Sequence, residues 1–149
     1  MSAPQFKEYD ADRISIVLGP YTITTAGGLA DGSFATVKHL SPVYTTKVGV
    51  DGTVTRSRTN DRRFECTVKV MQSSDANVVL SNFVQADLAL NNGAGVTTFS
   101  LVDLSGKTII SSLYSFISEL PETDFDREAG TREYVIQGSW VGPLILGGN

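Results

Sequence analysis

The stretch that decides the fold is KVGVDGTVTRSRTNDRRFECTVKVMQ, residues 47–72. Its first part alternates valines with polar residues around an Asp51-Gly52 pair, which is the pattern of a β-hairpin with a turn inside it. Residues 56–63 carry no apolar side chain, so we expect them to be exposed. Residues 64–71 alternate apolar and polar side chains again, which predicts a half-buried strand. The sequence therefore predicts a β-ribbon that leaves the body of the protein, exposes a cation-rich part and returns to the core.

This ribbon also predicts self-association. Its valines, Val48, Val50 and Val54, fall on one side of it, and the residues between them are mostly polar. Unpaired strand edges are costly or prone to aggregation, so a projecting ribbon needs a partner. We expect that partner to be another copy of the same chain.

Length and composition indicate one domain, residues 1–149, with a core of its own. The net charge of −4 argues against a general nucleic-acid binder, which needs a cationic face. The single cysteine, Cys66, excludes a scaffold built on intramolecular disulfides. Because no apolar run reaches the roughly 20 residues of a membrane span and no signal peptide is apparent, we expect a protein made in a cytoplasm, with no membrane partner.

Outside the ribbon, the patterns predict short strands and one helix. Residues 73–75 supply an N-terminal cap for a helix at about residues 74–88, with Asn77 on its polar side. The apolar face of this helix consists of Ala76, Val79, Leu80 and Phe83. Strands are predicted at residues 13–18, 21–25, 34–40, 64–71, 96–101, 108–117 and 131–141. The expected fold is mainly β, a two-sheet β-sandwich or partly closed β-barrel with one flanking α-helix and a long projecting β-hairpin or loop at about residues 41–63. The apolar tail, residues 142–149, is expected to dock on a neighbour or on its own body.

No pattern in the sequence carries catalysis or metal binding. His39 is the only histidine, and no cysteine or second histidine stands at ligand spacing beside it. The pair Asp124-x-Asp126 suggests a calcium loop, but the glycine and the terminal glutamate of such a loop are missing. No two residues combine the types and spacing that acid-base or nucleophilic chemistry requires. We therefore predict no catalytic residues, no cofactor, no metal site and no enzymatic activity.

Charge is divided along the chain. Residues 47–69 carry six basic and three acidic side chains, whereas residues 119–133 carry six acidic and two basic ones. The two regions are complementary, either within one subunit or head to tail between copies. The alternative is that they are two unrelated solvated patches, because single surface pairs add little energy.

Three runs of the sequence resemble one family: ADGSF at residues 30–34, GVDGTVTRSRTNDR at 49–62 and VMQSSDAN at 70–77. The order of elements is also similar, with a ribbon, a strand, a helix just after Gln-Ser, an Asp-Leu-Ser-Gly hairpin and a closing strand that contains Trp140. Across nearly its whole length the sequence resembles the tail tube proteins of contractile-tailed bacteriophages.

This resemblance implies a structural protein of the virion tail, assembled in the host cytoplasm. Subunits of such tubes form hexameric rings that stack into a hollow conduit for DNA ejection, and loops such as residues 41–63 bridge successive rings. The implied partners are further copies of the chain, the tail sheath protein, the baseplate or hub, the tail terminator, a tape-measure protein and double-stranded DNA that passes without specific binding. The contacts expected between subunits or rings involve Val48, Val50, Asp51, Val54, Arg56, Arg58, Asp61, Arg62, Arg63, Asp124, Asp126 and Glu128.

Two alternatives stay open. One is the inner-tube protein of a contractile injection particle or a type VI-like secretion machine, which shares the architecture and differs in cargo. The other is a monomeric β-sandwich that binds carbohydrate, with Trp140, Tyr114 and Tyr134 as a platform that stacks on sugars. The second alternative predicts exposed aromatic rings on one face of a monomer.

Overall fold

The computed structural model describes residues 4–23, 28–93 and 95–148, which fold into nine strands and one α-helix. A single 3-10 turn, Ala11–Arg13, precedes the first strand. The strands are β1 (Ile14–Leu18), β2 (Tyr21–Ile23), β3 (Ala35–His39), β4 (Tyr44–Val48), β5 (Val54–Arg58), β6 (Arg63–Met71), β7 (Thr97–Asp103), β8 (Ile109–Glu119) and β9 (Thr131–Trp140), and the helix is α1 (Ala76–Leu90). The predicted mainly β fold with one flanking helix is confirmed, and the strands form two sheets.

Seven strands form one antiparallel sheet in the order β2-β1-β7-β8-β9-β6-β3. The chain that follows β2 crosses to the other end of this sheet, where the amide of Ala30 donates to the Lys69 carbonyl of β6 at 3.0 Å. The sheet therefore curls around one core. Among the described residues the sheet does not close into a barrel, because its two edge strands, β2 and β3, do not pair with each other. The second sheet consists of β4 and β5 alone.

The core follows from the alternation that the sequence predicts for β6. Phe64, Cys66, Val68 and Val70 are all fully buried, and the residues between them face outward. The ring of Phe64 lies 5.6 Å from that of Phe99 on β7, so the curled sheet packs its two halves against each other. Burial raises the pKa of the Cys66 thiol to about 12, because a thiolate would lose its solvation there.

Helix α1 begins at Ala76 and ends at Leu90, two residues later at each end than predicted. Ala76 and Leu80 are fully buried and Phe83 packs against the core, as the apolar spacing indicates. The Ser74 hydroxyl oxygen accepts a hydrogen bond from the Ala76 amide at 3.2 Å. Such a bond satisfies one of the free N–H groups of the first turn.

Asn77 connects the helix to the sheet, although its polarity predicts a position on the polar side of the helix. Its side-chain NH₂ donates to the carbonyl oxygens of Met71 at 2.9 Å and Ser74 at 3.0 Å. Its side-chain oxygen accepts a hydrogen bond from the hydroxyl of Tyr134 at 3.0 Å. Asn77 therefore fixes the start of the helix to the end of β6 and to β9.

The C-terminal tail docks on its own body, which is one of the two predicted outcomes. Ile145 and Ile109 exchange two backbone hydrogen bonds of 2.8 and 3.1 Å, and the Lys107 amide donates to the Gly148 carbonyl at 3.1 Å. Part of its apolar surface stays open, because Leu146 is 63% exposed.

Within the described ranges, no helix combines the length and the apolar character that are needed to cross a membrane.

Candidate functional site

A β-hairpin formed by β4 and β5 projects from the body, and all ten of its strand residues are exposed. Val48 pairs with Val54 at the start of the turn. The Asp51 carboxylate accepts hydrogen bonds from the Thr53 amide at 3.0 Å and hydroxyl at 2.8 Å, which lower the pKa of that carboxyl. Gly52 has a φ of +85°, a conformation that glycine adopts without strain. The turn lies at Asp51-Gly52, as the sequence predicts.

The valines of this hairpin do not pack on the body of their own chain. Val48 is 64% and Val54 61% exposed, and Val50, which lies in the turn outside the strands, is fully exposed. Apolar side chains grouped on a projecting element are typical of a surface that contacts other protein.

The arginines at the hairpin lie in different environments. The guanidinium of Arg56 stacks over the Tyr44 ring at 4.1 Å, and that of Arg62 stacks over the Trp140 ring at 4.7 Å. Arg58 forms no ion pair with any described residue. Stacking leaves the positive charges of Arg56 and Arg62 available, so three cations at this end of the molecule have no acidic partner among the described residues.

Arg63 differs from these three, because it is paired within its own chain. The Asp61 carboxylate accepts hydrogen bonds from Arg63 Nε at 2.9 Å and from the second guanidinium nitrogen at 2.9 Å. It also accepts one from the Ser41 hydroxyl at 2.6 Å, which links the two legs of the hairpin at their base. These bonds lower the pKa of Asp61, the guanidinium of Arg63 contributing most. The sequence predicts both residues at contacts between copies, and within one chain they pair with each other.

A cleft of about 380 Å³ lies at the base of the hairpin. We call it the cationic cleft; its lining includes Val43, Tyr44, Arg58, Arg62, Trp140 and Leu144, together with the ion pair of Asp61 and Arg63. The chain segments that form it come from the hairpin, the end of β9 and the C-terminal tail. No local sequence pattern predicts this association, since it depends on the register of β6 with β9, which pairs Arg63 with Ser139.

The acidic segment, residues 119–128, runs from the end of β8 into the loop before β9 and is exposed at all but one of its residues. Behind it, the buried guanidinium of Arg132 donates to the Asp124 carbonyl oxygen at 3.0 Å and stacks on the Phe125 ring at 5.4 Å. No carboxylate of the segment forms an ion pair with a described residue. The predicted contact residues Asp124, Asp126 and Glu128 therefore lie on an anchored loop without an ion pair to any described residue, and the Asp126 carboxylate accepts a hydrogen bond from the Arg127 amide at 2.6 Å.

The cationic cleft and the acidic segment lie at opposite ends of the molecule. β6 and β9 are antiparallel, with Arg63 opposite Ser139 at one end and Met71 opposite Thr131 at the other. Eight residue steps of strand separate the two ends by about 27 Å. The two surfaces therefore do not meet within one chain, although the wider charged regions, residues 47–69 and 119–133, do meet where β6 pairs with β9. Between them, Lys69 and Glu133 form a cross-strand ion pair of 3.4 Å.

Trp140, Tyr114 and Tyr134 do not form the exposed platform that sugar binding would require. Tyr134 is only 3% exposed, and its hydroxyl is bonded to Asn77. Trp140 is half-buried beneath Arg62, whereas Tyr114 is 74% exposed on β8. Because burial withdraws Tyr134 from the surface, the three rings do not form one exposed face. In the described part of the chain, no group of three or more His, Cys, Asp and Glu side chains is placed to hold a metal ion.

A phage protein is similar to this chain in sequence. No protein-family profile matches the chain. The sequence is 27% identical over 134 residues to the structural protein ORF10 of Pseudomonas phage KPP10, which covers 86% of this chain and 76% of that protein.

Solved structures with a similar fold come from phage-like particles. A chain of the anti-feeding prophage cap, the tube-terminating cap of that particle, has a TM-score of 0.56 at 11% identity, with 93% of this chain and 91% of that chain covered. A chain from the virion of a native gene transfer agent has a TM-score of 0.56 at 12% identity, covering 91% and 100%. A chain from the extended sheath-tube complex of an extracellular contractile injection system has a TM-score of 0.55 at 12% identity, covering 93% of each.

At such low identities the structural likeness shows the fold alone. Taken with the phage relative, it confirms the resemblance to phage tail proteins.

Proposed function

We propose that this protein is the repeating subunit of a phage tail tube, in which hexameric rings stack to form a hollow conduit for DNA. The observation that carries the proposal is the hairpin of β4 and β5, whose ten strand residues are all exposed. An isolated two-stranded hairpin is at best marginally stable in water, so it gains stability by packing on another surface. Its exposed valines supply the apolar part of such a contact.

The charge of the molecule suits a conduit. A net charge of −4 disfavours retention of DNA, and a subunit that lines a channel must let DNA pass. In this proposal the protein has a structural role and no enzymatic one. Its partners are other copies of the chain, the sheath outside, the baseplate or hub and the tail terminator at the two ends, and the tape-measure protein in the lumen.

A second candidate is the inner-tube protein of a contractile injection particle. The likeness to chains of the anti-feeding prophage cap and of an injection-system sheath-tube complex favours it. The two functions differ in cargo. A particle that carries this protein and packages DNA behind a capsid supports the phage tube, and a DNA-free particle supports the injection tube.

Electron microscopy and light scattering of the purified protein test the proposal. The wild-type protein is expected to form rings or hollow tubes of constant diameter at high concentration or on added baseplates. The double variant Val48→Asp, Val54→Asp is expected to stay monomeric with an unchanged circular dichroism spectrum, because charged groups would be buried at the contact. The matched control, Thr45→Asp, Thr55→Asp, changes the opposite face of the hairpin and should still assemble.

Two results would overturn the proposal. One is a wild-type protein that stays monomeric at every concentration and with baseplates present. The other is normal tubes from the double valine variant, because the exposed hairpin would then have no part in assembly.

A further inference from the structure

We infer that successive copies join head to tail, with the acidic segment of one subunit seated in the cationic cleft of the next. The inference rests on the proposed tube subunit and deepens it by naming the two surfaces that meet between stacked rings. The occupant of the cleft is thus a second copy of this chain.

The geometry supports contact between copies in preference to contact within one. The surfaces lie at opposite ends of the β6 and β9 pair, about 27 Å apart along the strands. A contact between two different surfaces at opposite ends of a subunit is heterologous, and repetition of such a contact gives an open filament or a stack. The placement therefore fits rings that stack along the strand direction.

The charges that are free in one chain are complementary between copies. At the cleft, Arg58 has no acidic partner among the described residues and Arg62 stacks on a neutral ring. At the other end, Asp124, Asp126 and Glu128 have no basic partner in that part of the chain. Arg63 is excluded as an anchor because Asp61 already neutralises it. The contact thus depends on Arg58 and Arg62.

Apolar groups add to these charges. Phe125 is 82% exposed and Leu120 is 59% exposed, and both lie within the acidic segment. The cleft presents Trp140 and Leu144, which are partly buried hydrophobic residues at the edge of the core. Aromatic and arginine side chains dominate the energy of many protein interfaces, and isolated surface ion pairs contribute little. We assign Phe125 as the apolar anchor of the contact, beside Trp140.

Charge exchange between two variants tests this contact. The cleft variant is Arg58→Glu, Arg62→Glu, and the segment variant is Asp124→Lys, Asp126→Lys. Each variant alone brings like charges together and is expected to form at least tenfold fewer stacked rings than the wild type, measured by sedimentation and electron microscopy. An equimolar mixture should stack again, because the acidic cleft of one variant meets the basic segment of the other.

A control separates this effect from a change in net charge. Lys7→Glu, Lys107→Glu reverses two exposed cations outside both surfaces and should stack as the wild type does. Circular dichroism of each variant checks that the fold is kept.

The possible failures are distinguishable. Wild-type protein that forms neither rings nor tubes contradicts the proposed function. Wild-type tubes together with normal stacking of both charge variants contradict this contact alone. If each variant fails to stack and their mixture fails as well, this contact is also contradicted. Restoring complementary charges would then not restore stacking.

Discussion

The bond between Asn77 and Tyr134 allows a quantitative test of how the helix is attached to the sheet. The perturbation is the double-mutant cycle Asn77→Ala, Tyr134→Phe and their combination. Asn77 donates to the carbonyl oxygens of Met71, at the end of β6, and of Ser74, and it accepts from the Tyr134 hydroxyl at 3.0 Å. The hydroxyl belongs to a residue that is only 3% exposed, so it has little access to water as a substitute.

The magnitude follows from the number of bonds. An amide NH₂ group has two hydrogens, so Asn77→Ala removes two donated bonds and one accepted bond. At about 1 kcal/mol net for each bond, less about 0.5 kcal/mol for the better helix propensity of alanine, we expect a loss of about 2–3 kcal/mol. Tyr134→Phe should cost about 1 kcal/mol. The double variant should cost about 1 kcal/mol less than the sum, because one bond is counted twice.

Urea unfolding, followed by tryptophan fluorescence at a concentration where the protein is monomeric, measures these free energies. Asn82→Ala is the matched control on an exposed position of the same helix and should change stability by less than about 0.5 kcal/mol. Additive single effects would refute the bond between the two side chains. A loss below about 1 kcal/mol for Asn77→Ala would refute its role in attaching the helix.

Two further predictions concern the sheet and the hairpin base. Gly138→Ala should destabilise the fold by about 1–3 kcal/mol in the same assay. An added Cβ would lie 2.9 Å from Ser112 Oγ, and Gly147→Ala, where the added atom meets nothing within 4 Å, is the control. Asp61→Asn should destabilise the protein near pH 7, and its difference from the wild type should shrink as the pH falls below about 4, through the lowered pKa of Asp61. A difference that is independent of pH would show that the charge of Asp61 does not hold the hairpin.

Elements in which apolar and polar residues alternate regularly, or in which a turn needs particular residue types, could be predicted from the sequence. The burial of β6 follows from its strict alternation, and the turn at Asp51-Gly52 follows from the residue types that such turns require. The hairpin and its exposure could be predicted for the same reason, since residues 56–63 offer nothing to bury. The pairing of Asp61 with Arg63 was not predicted. The two residues are only two positions apart, at the start of β6, and this closeness is a local signal for such a pair.

Features that depend on distant parts of the chain could not be predicted. Residue polarity placed Asn77 outside, but a polar side chain can also be buried if every bond it needs is available. The stacking of Arg62 on Trp140 depends on strand pairing across 78 positions of sequence. The separation of the two charged surfaces likewise follows from the antiparallel pairing of β6 and β9. This pairing cannot be derived from the number of charged residues in each region.

The burial of Cys66 has a practical consequence for labelling. It is the only cysteine, it is fully buried, and its thiol has a pKa of about 12. Maleimides and disulfide reagents attack thiolates, so the native protein is nearly inert toward them. A cysteine introduced at the exposed position of Val50 would therefore be the one reactive thiol, with no need to remove Cys66 first. Dyes, spin labels or crosslinkers can thus be placed on the hairpin tip of an otherwise native protein.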